Sequence, residues 1–188
     1  MSKVPLWMCL LLLLLGSAAG EAGAATVRPM TLEELVRESQ CVVYGRSVGS
    51  RSFWDSVTST IWTETEFLVL DAPKGEVGRT VRITEPGGIL GNTGHLIPGV
   101  PQFAADREAV VFLYAAPGNR LRVLGLGQGV YNVFREPATG DLLARPSLEA
   151  REIVYEEGRS LARGPGEILN TRKLGEFLFL IRRRASIR

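Results

Sequence analysis

The chain has 188 residues, 45% of them hydrophobic, and 22 Lys and Arg against 20 Asp and Glu give a formal net charge of +2. That balance excludes the basic stripe of a nucleic-acid binder. Once Cys9 leaves with the amino-terminal segment, one His (His95) and one Cys (Cys41) cannot supply the three or four ligands of a zinc centre without several carboxylates.

The amino terminus reads as a cleavable export signal. Lys3 supplies the positive charge, Leu6 to Leu15 is a continuous apolar run, and Gly16 to Gly20 brings in small residues. Ala22-Gly23-Ala24 offers small side chains where a signal peptidase reads, so cleavage is expected after Ala24. The apolar run falls short of the ~20 residues of a membrane-spanning helix. Cys9 stands at its front rather than at its end, which argues against a lipidated cysteine. The expected organisation is a signal over 1–24, a β-barrel domain with an amino-terminal helix over 25–146, and a helical extension over 147–188 packed on the barrel. Export then places the chain in the periplasm or outside the cell, with no further membrane span. Cys41 is left without a partner for a disulfide, and Cys41-Val42-Val43-Tyr44 reads as a strand in which it is a small buried hydrophobe.

Thr31-Leu32-Glu33-Glu34 is a capping box, with Met30 and Leu35 placed as its hydrophobic staple, and predicts a helix over 32–38. Cys41 to Val48 is strand-like. Thr58 to Asp71 alternates, with Ile61, Thr63, Thr65, Phe67 and Val69 on one face and Trp62, Glu64, Glu66, Leu68 and Leu70 on the other. Its length predicts a bend or bulge, and Pro73-Lys74-Gly75 a turn. A strand over 79–85 closes at Pro86-Gly87-Gly88. The Gly- and Pro-rich stretch from Gly87 to Gln102 reads as one long irregular loop, and loops of this length in compact domains are often functional.

Strands are predicted again over 108–114, 121–126 and 130–135, with Leu142 to Ala144 pairing back. Gly125, Gly127 and Gly129 mark a bulge or tight bend. Pro146-Ser147 starts a predicted helix over 148–158, which Gly164-Pro165-Gly166 ends. Leu174, Phe177, Leu178 and Ile181 then form one face of a last helix, widened by Phe179 and Leu180. Arg182, Arg183, Arg184 and Arg188 at its end complement the helix dipole. Six or seven strands without βαβ alternation predict a mainly β fold with flanking helices, a small antiparallel OB-like barrel, closed or partly closed.

Leu32-Glu33-Glu34-Leu35-Val36, Val42-Val43-Tyr44-Gly45, Phe67 to Gly75, Pro86-Gly87-Gly88, Gly99 to Phe103 and Gly125 to Gly129 occur in an order that resembles a family of secreted bacterial proteins of uncharacterised function. More loosely, the long strand running into Lys74-Gly75 resembles the OB-fold barrel of tissue inhibitors of metalloproteinases and netrin-type modules. That likeness implies a five-stranded barrel core. Those inhibitors chelate the target's zinc through an amino-terminal cysteine within a disulfide framework, and the expected start at Ala25-Thr26 carries neither.

Catalytic sets are hard to assemble from these residues. A serine triad would need His95 as its base, an orienting acid and a strained nucleophile turn. A Cys41–His95 dyad would rest on a mid-strand thiol, which is inert when buried. Glu64 and Glu66 share a strand face and would be the carboxylates of a hydrolase, with His95 beside them; solvent-facing alternation explains them as well. The Gly clusters lack the following helix of a dinucleotide fingerprint and the Gly-Lys-Ser/Thr of a P-loop, so turns explain them. The sequence therefore points to an exported, non-enzymatic protein without cofactor or metal that binds a protein or envelope component. Trp54, in or near the loop joining the first two strands, with Trp62, Asn92, His95 and Phe103 are its candidate ligand surface. Protease inhibition and a Glu64/Glu66/His95 hydrolase are the alternatives.

Overall fold

The computed structural model describes residues 28–147 and 170–187. The cleavage site and the helix predicted over 148–158 lie outside them. Helix α1 (Leu32–Glu38) starts as the capping box requires. Thr31 Oγ1 accepts from Glu34 N–H at 3.1 Å, and Thr31 N–H donates to Glu34 Oε2 at 2.7 Å. Both residues of the staple, Met30 and Leu35, are buried.

Strands β1 (Cys41–Asp55), β2 (Thr60–Lys74) and β3 (Thr80–Pro86) form an antiparallel meander. A short hairpin, β4 (Gly88–Leu90) and β5 (Thr93–His95), follows, then β6 (Glu108–Ala116), β7 (Arg120–Val123), β8 (Val130–Arg135), β9 (Leu142–Pro146) and β10 (Arg172–Lys173). The main sheet runs β1-β2-β3-β7-β6-β8-β9-β10, and β6 also returns to β1 along Cys41↔Leu113 to Arg46↔Glu108. The sheet thus curls back on itself. At its seam β3 and β7 meet through one parallel bridge, Ile83↔Leu121, so the barrel is not fully closed. The fold is mainly β with two flanking helices, and its order is OB-like, a five-stranded, partly open barrel extended by β8 to β10.

Three expectations need correction. The count of six or seven strands is too low, because the main sheet alone has eight among the described residues. The antiparallel pattern is broken by the β3–β7 bridge. The stretch from Gly87 to Gln102 is not wholly irregular: Gly88 pairs with His95, Ile89 with Gly94 and Leu90 with Thr93. Gly91, at φ 59°, makes that tight hairpin possible without a Cβ penalty. The bulge expected in the second strand is present: against Val42, Tyr44 and Gly45 the partners step from Lys74 to Asp71 to Val69, with an extra residue on β2 at each step, and a third shift between Ser47 and Gly49 places one on β1.

Two apolar cores lie on either side of β1 and β6. Val43, Phe67, Ile83, Val111 and Leu113 fill the barrel. On the outside, helix α2 (Leu174–Ala185) sets Leu174, Phe177, Leu178 and Ile181 against α1, Val42, Phe112 and Tyr131. Phe177 lies 4.5 Å from Tyr131, ring centre to ring centre. Leu180 packs at the edge of this core, but Phe179 points to solvent at 66% exposure and does not widen the stripe. Arg182 leaves the helix end to meet the Asp71 carboxylate at 2.5 Å, and so ties α2 to β2.

The Lys74-Gly75 motif has a structural explanation. Lys74 Nζ donates to the carbonyls of Val36 (2.5 Å), Arg37 (3.3 Å) and Ser39, closing the carboxyl end of α1. Gly75 turns at φ 79° with no room for a side chain, since an added Cβ would stand 2.8 Å from Cys41 Cβ. Cys41 is buried, as a small hydrophobe in a strand should be, and burial raises its thiol above the ordinary value.

Candidate functional site

A cleft of about 600 Å³ opens where the Gly-rich segment arches over the distal half of the β1–β2 hairpin. Its floor is a ladder of hydroxyls. Ser50 Oγ and Thr65 Oγ1 are 2.8 Å apart, and Ser52 Oγ and Thr63 Oγ1 are 3.0 Å apart. Strand alternation puts these four side chains on the face that farther along β2 carries Phe67 into the barrel core. Apolar walls come from Ile83 below and Ile97, Val100, Pro101 and Phe103 in the arch.

The arch is pinned rather than free. Thr63 Oγ1 donates to the Gly87 carbonyl at 2.7 Å, Gly87 N–H donates to the Ile61 carbonyl at 2.7 Å, and Thr60 Oγ1 lies 2.7 Å from His95 Nδ1. Gly88 (φ 124°) sits directly on the hydroxyl ladder: a Cβ there would stand 2.0 Å from Thr63 Oγ1 and 2.7 Å from Ser52 Oγ. Phe103 anchors the far end, edge-on to Phe67 at 4.9 Å.

One acid lines the cleft. Glu85 is 4% exposed, accepts from Val123 N–H at 2.6 Å, and receives Arg122 Nη2 at 3.0 Å. Its carboxylate supplies the hydrogen bond that the single-bridge β3–β7 seam lacks. Burial raises its pKa, and the Arg122 charge and the Val123 bond oppose that shift. With both oxygens engaged, Glu85 reads as a seam-closing group.

The five candidate surface residues are not brought together. His95 and Phe103 line the cleft. Asn92 is exposed on the turn of the β4–β5 hairpin. Trp54 stands in β1 beside the loop, because that strand runs on to Asp55; it is 57% exposed. Trp62 lies on the opposite face of β2 and is buried. Arg120 and Arg122 stack on its ring at 4.5 and 5.3 Å, and its Nε1–H donates to Thr58 Oγ1 at 2.7 Å. Arg120 also holds Asp55, and this hydrogen bond keeps the Asp55 carboxyl below its usual value.

The proposed hydrolase set is likewise divided. Glu64 and Glu66 share a shallow depression with Arg51 and Arg82, and Glu64 pairs with Arg51 at 3.0 Å. His95 sits with the hydroxyls on the other face of β2. Among the described residues no three His, Cys, Asp or Glu side chains gather into a metal site.

The hydroxyl floor escaped the sequence reading, although its signal was present. Ser50-x-Ser52 and Thr63-x-Thr65 interrupt a face that is otherwise apolar at Ile61 and Phe67. Polar side chains spaced by two on an inward face imply a lined space rather than a dry core. No family model, curated protein or solved structure matches the chain.

Proposed function

We propose that the chain is an exported, non-enzymatic binding protein that holds its ligand in the cleft between the β1–β2 hydroxyl ladder and the Gly-rich arch. The observation that carries this reading is the ladder itself: four hydroxyls on an inward face, roofed by apolar side chains and left with open volume. Such a lining fits a ligand that presents hydrogen-bonding groups on one side and apolar surface on the other. The divided carboxylates and the exposed, singly bonded His95 offer no paired acid and base, and this supports binding over turnover.

The test fills the cleft. Ser50 is an exposed member of the floor, so Ser50→Phe adds bulk to the cleft at a position outside the buried core. Immobilised wild type and Ser50→Phe are incubated with periplasmic and envelope extract, beside a variant lacking residues 89–100. The reading requires a species that the wild type retains and both variants lose. Identical retention by all three removes the cleft from the account. The leader is tested separately, by mass measurement of the exported chain, with an amino terminus at Ala25 expected.

A further inference from the structure

Two turns project from the same end of the barrel. The end of β1 and the turn that follows it carry Trp54 and Val57, 57% and 91% exposed; the β4–β5 hairpin and its exit carry Ile89, Leu90 and Leu96, at 74%, 40% and 74%. The Thr60–His95 hydrogen bond and the Gly87–Ile61 backbone bond hold the two turns side by side. Most of the large exposed hydrophobics among the described residues belong to these two turns. Scattered surface leucines need no explanation, but a cluster on one end does.

Charge singles out this end as well. Charged residues make up 22% of the chain, yet Pro86 to Ala105 and Ser56 to Thr63 contain no Asp, Glu, Lys or Arg. Asp55, at the base of the first turn, is buried and paired with Arg120. A protein-binding face ordinarily rims its apolar centre with charged and polar side chains. A surface that enters the edge of a bilayer avoids ionised groups, because each costs a few kcal/mol to bring toward the hydrocarbon. Trp with aliphatic neighbours on an uncharged tip suits the membrane–water boundary, where an amphipathic ring is favoured. In the hairpin β4 and β5 pair along Gly88↔His95, Ile89↔Gly94 and Leu90↔Thr93, which leaves fewer backbone groups to desolvate than an unpaired loop, and their outer edges stay at headgroup depth, where water and headgroups can bond them.

We infer that this end of the barrel docks on a lipid bilayer surface, inserting Trp54, Val57, Ile89 and Leu96 among the headgroups and upper acyl chains. The Arg-rich end of α2 is a separate feature, and Arg182 there is already paired with Asp71. The attraction is therefore apolar, and it does not depend on anionic lipid. Ile89 and Leu96 also rim the cleft, so docking brings the cleft mouth to the bilayer.

The chain recovered after export, with its amino terminus fixed by mass spectrometry, is sedimented with vesicles of phosphatidylcholine alone and with vesicles containing phosphatidylglycerol. Equal binding to both, insensitive to salt, is expected. Trp54→Ser with Val57→Ser, which lie outside the cleft, and Ile89→Ser with Leu96→Ser should each weaken binding, by about tenfold or more when combined. Vesicles with brominated acyl chains should quench the fluorescence of wild type but not of Trp54→Phe, a readout that holds even if the combined variant folds poorly. Absence of vesicle binding overturns the inference. So does binding confined to anionic vesicles and unchanged by these substitutions, and so does loss of a protein partner, but not of vesicles, in the variants.

Discussion

Strands β1 and β2 run side by side for their whole length, yet their two halves are finished differently. In the half near Val43 and Phe67, both residues are fully buried, and helices α1 and α2 seal the outer face over Val42. In the half from Ser50 to Asp55 and Thr60 to Thr65 inward positions carry hydroxyls, no helix among the described residues covers the strands, and the Gly-rich arch leaves a cleft. The same strand geometry therefore gives a dry core where both faces find apolar partners and a lined space where one face does not. Stability is concentrated in the first half, and the proposed binding belongs to the second.

The sharpest way to break this division is to remove Phe177, which packs between Tyr131 and Phe112 with no solvent exposure. Phe177→Ala should lower the unfolding free energy by about 3–5 kcal/mol in denaturant titration. A loss below about 1 kcal/mol would mean that the helical side does not carry the fold. A smaller effect is expected at Gln128, which is buried and receives Met30 N–H at 2.8 Å while donating to the carbonyls of Arg28 and Gly125 at 3.1 and 3.2 Å. Gln128→Leu leaves Met30 N–H unpaired, so about 1–3 kcal/mol should be lost and the Met30 amide should exchange faster with solvent.

On the cleft side, Glu85→Leu strands Val123 N–H at the seam and should cost about 1–3 kcal/mol. Glu85→Gln keeps an acceptor and isolates the charge. The folded pKa of Glu85 is raised, so its contribution is full below the ordinary carboxylate range and is lost as pH rises through the folded value. The stability of Glu85→Gln relative to wild type should therefore improve between about pH 4 and pH 7. Glu34 has the opposite sign. Arg28, then Thr31, lower its pKa to about 2, so its contribution is present above the ordinary range and is lost as pH falls toward 2. Glu34→Gln should flatten that acid limb at a cost of about 0.5–1 kcal/mol at neutral pH, the smallest of these effects. Thermal melts across pH 2–7 check both signs.

Much of the sealed half was legible because its signals are local and periodic. The capping box predicts α1, the Leu174/Phe177/Leu178/Ile181 spacing predicts the buried face of α2, and Val130 to Arg135 is a strand as read. Phe179 misled because hydrophobicity alone does not say where a stripe ends; the neighbouring elements leave that side of α2 open. The cleft half was less legible because it depends on long-range pairing. Nothing local to Trp62 announces that Arg120 and Arg122 arrive from β7 to cover it, and nothing local to Glu85 announces an incomplete seam. The sequence predicts the first strand only to Val48, because apolar alternation stops there, whereas pairing with β2 extends it to Asp55.

The central claim is that the hydroxyl floor and its arch form one binding site. Amide hydrogen exchange on the purified protein, followed with and without a species that it retains from envelope extract, addresses this most directly. Protection should rise together in peptides covering 50–52, 63–65 and 87–103, and Ser50→Phe should abolish the rise. Protection that appears elsewhere, with these three segments unchanged, would contradict the account.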